Sequence, residues 1–261
     1  PSIEKSSLTI FVERGESVGI IDDLLAGLPL EEVALRDVRI GPFWTVVWTE
    51  RGAGLASTQR DVHTPHGQSL IRQAGYLLDS SAQELAELLR SSSPMETGLG
   101  MAAVNSLLRV DETALTDRNA SEEIVRRGEG RRVVIVGHFP FIPQVREAVG
   151  HLDVLEFDPG PEELPSEAAD QVIPRADVVA ITGTSLINKT FDRLIDLCRP
   201  DAYVLVLGPT TPLSPVLFDY GVDLMAGTLV VDPEIALKVA GQGAIFRQMR
   251  GVRLVTMTRD R

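Results

Sequence analysis

The sequence contains very little cysteine and no long hydrophobic segment. Cys198 is the single cysteine among 261 residues, which excludes an internal disulfide and a metal cluster held by several thiolates. Hydrophobic residues make up 44% of the chain, enough for buried cores, but no apolar run reaches the roughly 18–20 residues that span a bilayer. Residues 1–5 also lack the pattern of a secretion signal. These features predict a soluble, cytoplasmic protein.

An excess of positive charge is also missing. The formal net charge is −12 at pH 7, and the Lys and Arg residues form no basic stripe that would neutralise phosphates. Nucleic acid and anionic membrane surfaces are therefore not expected as partners. Lysine is rare, and one of the few lysines, Lys189, lies in a polar loop after a predicted strand.

The motifs of common cofactor sites are absent as well. The first predicted strand of the second half is followed by one glycine and then by Pro140 and Pro143. Because this segment lacks Gly-x-Gly-x-x-Gly, NAD(P) and FAD are disfavoured. Walker loops and Gly-x-Ser-x-Gly nucleophile turns are also missing. With four histidines and one cysteine, a closed zinc site is not expected, and His63 and His66 are interpreted as surface side chains.

The first half of the chain, residues 1–129, predicts an α+β domain. Apolar spacing indicates helices, and strand-like runs flank Gly41-Pro42, which is typical of a hairpin turn. The pattern favours a small antiparallel sheet with helices on one side. We interpret the polar peptide Gly128-Glu129-Gly130 as the end of a domain linker. Strands are predicted at 33–40 and 43–49, and helices at 17–28, 82–89 and about 96–108.

The second half, residues 130–261, alternates strands with helices. This alternation is typical of a parallel, doubly wound sheet, so the chain as a whole is predicted to be an α/β protein. In such sheets ligands bind just beyond the carboxyl ends of the strands. Strands are predicted at 132–136, 152–156, 178–182, 203–207, about 224–230 and 252–257, and helical segments at 141–149, 187–198, 213–219 and 233–240.

Three of these strands are followed by small, polar loops, at 137–140, 182–190 and 208–215. His138, in the first loop, can act as an acid or base or bind a metal, or it can simply tie the loop together. The second loop can cradle a carboxylate or phosphate at a helix N-terminus, with Lys189 adding a charge, or it can be an ordinary helix cap. The third loop is held rigid by its prolines, which suits either a preorganised site or a strand end.

The motifs also resemble a known family. They are GLGMAAVN at 98–105, VGHFP at 136–140, LEF at 155–157, AITG at 180–183, NKT at 188–190 and GPTTPLSP at 208–215. In this order they resemble the putative heavy-metal-chelation family, two-domain bacterial and archaeal proteins of unknown function, and the similarity covers about residues 17–258. The resemblance implies an N-terminal domain similar to that of enolases, a Rossmann-like C-terminal domain and a site in the cleft between them. Enolase chemistry is not implied, because the barrel that carries it cannot fit in this chain.

Three hypotheses for the function remain open. The first is binding of a small anionic ligand, or of a transition or heavy metal, between the domains. The second is an enzyme acting on a small phosphorylated or carboxylated metabolite, with His138 as acid/base and Lys189 stabilising negative charge. The third is a scaffold whose acidic surface contacts another protein, and a homo-oligomer is compatible with each. The sequence identifies neither the ligand nor a cofactor. The candidate ligand residues are Gly137, Phe139, Thr182, Gly183, Thr184, Asn188, Thr190, Gly208, Pro209, Thr210, Thr211 and Asn105, and the candidate metal ligands are His138 and Asp158.

Overall fold

The computed structural model describes residues 19–59, 67 and 69–259 of the chain. Within these residues the fold is built on two sheets, one of three strands and one of eight. Helices accompany both sheets, so the predicted α/β class is confirmed. His63, His66 and the first two residues of the predicted first helix, 17 and 18, lie outside the described residues.

The smaller sheet comprises β1 (Leu35–Ile40), β2 (Trp44–Thr49) and β3 (Ala53–Ser57). Its strands are antiparallel and follow one another in the order β1-β2-β3. β-Branched and aromatic residues in β2 favour extended backbone. The predicted hairpin turn joins the first two strands, and the Gly41 N–H donates to the Trp44 carbonyl at 2.9 Å.

The α-helices in the first part of the described chain are α1 (Ile20–Ala26), α2 (Ala82–Glu87) and α3 (Pro94–Leu107). Helix α3 packs on β2 and β3, and glycine permits a close approach, because a Cβ at Gly98 would lie 2.7 Å from the Ser57 carbonyl oxygen. The helix is buried on nearly all sides, because α2 packs against it in addition to the sheet.

The larger sheet contains the six strands predicted for the second half and two short strands that were not predicted, at 115–116 and 164–165. The strands are β4 (Leu115–Thr116), β5 (Arg132–Val136), β6 (His151–Glu156), β7 (Leu164–Pro165), β8 (Val178–Thr182), β9 (Tyr203–Leu207), β10 (Leu224–Val230) and β11 (Val252–Thr258). They run in the order β4-β11-β10-β9-β8-β5-β6-β7, and the six strands β10-β9-β8-β5-β6-β7 are parallel to one another. The helices that accompany them are α4 (Ala120–Gly128), α5 (Ile142–Ala148), α6 (Ala169–Val172), α7 (Thr184–Ile187), α8 (Phe191–Asp196), α9 (Val216–Asp219) and α10 (Pro233–Gly241).

The chain enters the parallel part of this sheet in its middle, at β5. It then extends to one side through β6 and β7 and afterwards to the other side through β8, β9 and β10. This is the strand order of a doubly wound sheet, in which a crevice forms where the order reverses. In this chain the reversal lies between the carboxyl ends of β5 and β8.

The last strand runs opposite to the direction predicted for a fully parallel sheet. β11 pairs antiparallel with β10 along its whole length and with β4 on its other side. The reason is that α10 packs against β1 and β2 of the smaller sheet, after which the chain returns beside β10. A Cβ at Gly41 would collide with the Ala240 carbonyl. The smaller sheet is therefore covered by helices from both halves of the chain, and not by helices on one side as predicted.

Residues 115–128, predicted to be the end of the first domain, lie against the larger sheet. β4 is hydrogen-bonded to β11, and α4 packs against β5, β8 and α5. The polar peptide at 128–130 is a tight turn, in which the Arg131 N–H donates to the Gly128 carbonyl at 3.0 Å. We therefore propose a domain boundary between Leu108 and Leu115. The enolase-like and Rossmann-like descriptions of the two domains remain predictions. Among the described residues, no helix is both long enough and apolar enough to cross a membrane.

Candidate functional site

Glycine begins each of the three loops that the sequence marks as a ligand site. Gly137, Gly183 and Gly208 follow β5, β8 and β9, and their N–H groups still donate to the neighbouring strands at 2.8–3.0 Å. The first and third loops turn sharply directly after these bonds, with φ at +108° for Gly137 and +114° for Gly208, a region that favours glycine. A Cβ at Gly137 would lie 2.9 Å from Thr182 Cβ. The ends of β5 and β8 are therefore in close contact.

Two cavities open at these loops. The strand-end pocket has a volume of 280 Å³ and lies over the carboxyl ends of β5, β6 and β8. The interdomain cleft has a volume of 820 Å³ and lies between the three loops, the smaller sheet and the β4–α4 segment. His138, Thr182 and Thr184 line both cavities. Of the predicted ligand residues, the strand-end pocket is also lined by Gly137, Asn188 and Thr190, and the interdomain cleft by Phe139, Gly183, Gly208, Pro209 and Thr210.

His138 has a carboxylate partner that the sequence did not predict. Its Nδ1 lies 2.7 Å from Glu163 Oε1, and the imidazole is 69% exposed whereas the Glu163 side chain is 11% exposed. The pKa of Glu163 is lowered, first by a hydrogen bond from the Gly160 N–H and then by His138. An ionised Glu163 accepts a hydrogen bond from the Nδ1–H of a neutral imidazole, so Nε2 is left with a lone pair for a ligand or a proton. Glu163 thus orients the predicted acid/base group.

The loop after β8 presents hydroxyl groups and no long helix N-terminus. Thr182 Oγ1 and Thr184 Oγ1 are 2.9 Å apart, and the Asn188 amide oxygen accepts from both the N–H and the hydroxyl of Thr190. Helix α7 is a single turn of 4 residues, too short for the helix-dipole effect that the sequence interpretation invoked. Any anion held here would be bound by hydroxyl and backbone groups.

Lys189 lines neither cavity. Its ammonium donates to the carbonyl oxygens of Arg90 at 3.0 Å and Ser91 at 2.6 Å, where a short helical segment of the first domain ends, and cations at helix C-termini satisfy free carbonyls. Its backbone is left-handed, with φ at +62°. Lys189, which the sequence suggested as a catalytic residue, therefore links the two domains through these hydrogen bonds.

Arg118 is the cationic side chain in the interdomain cleft that the sequence interpretation missed. It is exposed, it lines the cleft, and it precedes Asn119, which caps α4. Its carbonyl accepts a hydrogen bond from the Thr256 hydroxyl at 2.7 Å, which fixes this segment to β11. In the sequence Arg118 belongs to a polar stretch with no motif. Only the pairing of β4 with β11 brings it opposite the loops.

Asn105 and Thr210 hold the third loop against the smaller sheet. The Asn105 amide donates to the carbonyls of Leu55 at 2.9 Å and Thr210 at 3.2 Å, and Thr210 Oγ1 accepts from the Ser57 N–H at 3.0 Å. Asn105 lines neither described cavity. These two predicted ligand residues therefore join the domains and shape the cleft wall.

Thr211 is packed behind the second loop. It is 2% exposed, and a Cβ at Gly183 would lie 2.5 Å from its Oγ1 atom. Gly183 is thus required for the second and third loops to approach each other. Thr211 lines neither described cavity, so its contribution is to the packing of the loops.

The described residues do not form a metal cage. No three His, Cys, Asp or Glu side chains come together there in a group that could hold an ion. Asp158 is exposed and lines neither cavity, and the partner of His138 is Glu163. Burial raises the pKa of the Cys198 thiol to about 12, so it is not a thiolate ligand at neutral pH. These residues suit a metal ion that is already coordinated by a small ligand when it binds.

One buried polar atom at the cleft has no protein partner. Trp44 lines the interdomain cleft, and its indole N–H has no hydrogen bond within the described part of the chain. The Trp44 ring packs edge-on against Phe246, with centroids 5.4 Å apart. Unpaired buried donors are rare in proteins, so an acceptor for this N–H would come from outside the described residues.

The fold and the cavities together define a two-domain α/β protein with a cleft between its sheets. Residues 119–258 match the family DUF364 and residues 21–108 match DUF4213, both described as "Putative heavy-metal chelation". The chain therefore belongs to the DUF364 family. The unmatched residues between the two segments include the domain boundary proposed above.

Relatives of similar length support this membership. A crystal structure of a DUF364-family protein of unknown function from Desulfitobacterium hafniense is 26% identical, with a TM-score of 0.81 over 92% of this chain and 98% of that one. A second, from Pyrococcus horikoshii, is 20% identical and has a TM-score of 0.76 over 92% and 98% of the two chains, and this likeness concerns the fold alone. An uncharacterized protein of Methanocaldococcus jannaschii is 24% identical over 255 residues, 94% of this chain and 93% of the relative.

Proposed function

We propose that this protein binds a small anionic ligand in the interdomain cleft, and that a heavy-metal ion is carried as a complex with that ligand. The observation that carries the proposal is the set of donors around the 820 Å³ cleft. A volume within roughly 300–1,000 Å³ is typical of small-molecule sites. The lining residues that can donate hydrogen bonds are Arg118, Trp44 and the residues of the strand-end loops, with their hydroxyl and backbone groups.

The lining of the cleft can accommodate an anion in spite of the acidic chain. The net charge is −12, yet among the described residues the charged side chains that line the cleft are one arginine, Arg118, and one carboxylate, Asp117. Guanidinium groups bind carboxylates and phosphates through two parallel hydrogen bonds. A cleft in which the two charges balance repels an anion less than the acidic remainder of the surface does.

The metal in this proposal is cargo. Because no cage of three donors exists among the described residues, the small ligand would supply most of the coordination. His138 Nε2, left free by the Nδ1 contact with Glu163, would provide one protein ligand. Metal retention should then depend on the anion as much as on the protein.

An enzyme is the second candidate, and the His138–Glu163 pair is the observation that favours it. A carboxylate that fixes the tautomer of an exposed imidazole is an arrangement used in general acid/base catalysis. The test is turnover of small phosphorylated or carboxylated metabolites by the protein and by a His138→Gln variant. Turnover lost in that variant, with an ionisation missing from its pH–rate profile, would favour catalysis over binding.

Calorimetry with zinc citrate, zinc chloride and sodium citrate tests the binding proposal. We expect zinc citrate to bind more tightly than either component alone, because the cleft binds the anion and His138 the metal. Arg118→Ala should weaken zinc citrate binding by about tenfold or more. Arg175→Ala removes another exposed arginine, which lines neither cavity, and should leave zinc citrate binding unchanged. Zinc chloride binding as tightly as zinc citrate, unaffected by Arg118→Ala, would refute the proposal.

A further inference from the structure

The strand-end pocket is a separate cavity whose position points to a ligand of its own. It lies where the strand order of the larger sheet reverses, over the carboxyl ends of β5, β6 and β8. Ligands of doubly wound sheets bind at this point. Its volume of 280 Å³ is just below the roughly 300–1,000 Å³ of typical ligand pockets, so a small, compact molecule fits.

A carboxylate stands at the end of β6, at the edge of this pocket. Glu156 is the last residue of that strand, it lines the pocket, and it forms no salt bridge within the described part of the chain. Its Oε2 accepts the N–H of Phe157 at 3.0 Å, which holds the carboxylate in place. A carboxylate at this strand end can accept hydrogen bonds from the neighbouring hydroxyls of a ribose.

An exposed aromatic ring follows the carboxylate directly. Phe157 is 68% exposed and also lines the pocket. Large exposed rings offer a face on which a nucleobase stacks. Apolar side chains supply further contact surface for a base, namely Val136, Leu155 and Leu194.

Phosphate groups are not favoured in the same pocket. Among the described residues, the ionisable side chains that line it are His138, Glu156 and Arg193, and Arg193 is paired with Asp170 at 2.7 Å. The loop after β5 continues into Pro140 instead of a glycine-rich turn, so no backbone cradle for a pyrophosphate follows the strand. The ligand that matches these features carries a ribose and a base without charge.

We propose that the strand-end pocket binds a nucleoside that carries no phosphate, with the ribose hydroxyls on Glu156 and the base against Phe157. The strand-end pocket meets the interdomain cleft at His138, Thr182 and Thr184, which line both. A nucleoside compound here would thus face a ligand bound in the cleft. This inference does not depend on the function proposed for the cleft, because Arg118 lines only the cleft and Glu156 only the strand-end pocket.

Isothermal titration and saturation-transfer NMR with the full chain test the inference. The probes are adenosine, guanosine, cytidine, uridine and 5′-methylthioadenosine, the 2′-deoxy form of any nucleoside that binds, and its 5′-monophosphate. We expect at least one ribonucleoside to bind at about millimolar concentration or below. Its 2′-deoxy form should bind about tenfold more weakly, since one hydrogen bond to a charged group is lost, and its monophosphate should bind no more tightly.

Two carboxylate variants separate the proposed contact from a general effect. Glu156→Gln keeps an oxygen for the Phe157 N–H but loses the charge. It should weaken nucleoside binding by about tenfold and leave the melting temperature of the protein unchanged. Glu162→Gln alters a carboxylate that is 77% exposed and should bind as the parent does. The inference is overturned if no ribonucleoside binds, if the deoxy form or the Glu156→Gln variant binds equally well, or if the monophosphate binds much more tightly.

Discussion

Replacing Gly137 with alanine should open the junction between the ends of β5 and β8. The backbone at Gly137 has φ at +108°, and holding a non-glycine residue in such a conformation costs about 1–3 kcal/mol. The added Cβ would also lie 2.9 Å from Thr182 Cβ and 3.3 Å from the Phe139 ring, contacts that force neighbouring groups to move. Overpacking of this kind costs a further ~1–3 kcal/mol. We therefore expect a loss of about 2–6 kcal/mol in the free energy of unfolding.

Gly130→Ala is the matched control for this prediction. Gly130 also has positive φ, at +66°, but a Cβ there would meet no atom within 4 Å. It should cost only the ~1 kcal/mol of left-handed backbone. Urea unfolding with an unchanged m-value measures both free energies. Equal losses in the two variants would show that the contact between the two strand ends is not tight, and the reasoning about the site would fail.

Three other predictions concern groups outside the cavities. Lys189→Met should destabilise the protein by about 1–2 kcal/mol, because two carbonyls of the first domain lose their donor, while Lys238→Met, at an exposed lysine of α10, should leave the urea midpoint unchanged. The pKa of Glu123 is lowered to about 2, mainly by a hydrogen bond from Arg126. The stabilisation that results is fully present above pH 4.5, the normal pKa of a glutamate, and is lost as the pH falls toward 2. Glu123→Gln should therefore cost about 1–2 kcal/mol at neutral pH and flatten the acid limb of the stability–pH curve, and an unchanged limb would contradict this. Cys198, whose pKa burial raises to about 12, should react with a thiol reagent at pH 8 at least about 100-fold more slowly than the unfolded chain, and rapid labelling of the folded protein would contradict it.

The parallel strands and the loops behind them could be predicted because their signals are local. Runs such as 132–136 and 178–182 are apolar and rich in β-branched residues, which fixes them as buried strands. The small residues that follow mark the strand ends. The sequence could therefore mark His138, Thr182 and Gly208, which line the cavities, without information about distant contacts.

The partners of the site residues could not be predicted because they are distant in sequence. Lys189 donates to carbonyls about a hundred residues away, and nothing near it distinguishes that role from anion binding. Arg118 reaches the cleft only because β4 pairs with β11. The reversed direction of β11 likewise depends on α10 covering the smaller sheet. These positions depend on tertiary contacts, which no local sequence pattern indicates.

The choice between Asp158 and Glu163 shows the same limit at short range. Both lie in one acidic segment after β6, and the strand end favoured Asp158. The chain instead turns so that the Gly160 N–H donates to Glu163 Oε2 at 2.9 Å, which aims the other carboxylate oxygen at His138. The turn between Gly160 and Glu163 thus determines which carboxylate contacts His138.

The most direct test of ligand binding in the cleft is joint elemental and small-molecule analysis of untagged protein purified from cells supplied with zinc. The protein should release metal and a small anion together, and Arg175→Ala should do the same. Arg118→Ala should lose both, because the metal is retained through the anion. Metal released without any anion, and retained in full by Arg118→Ala, would contradict the account.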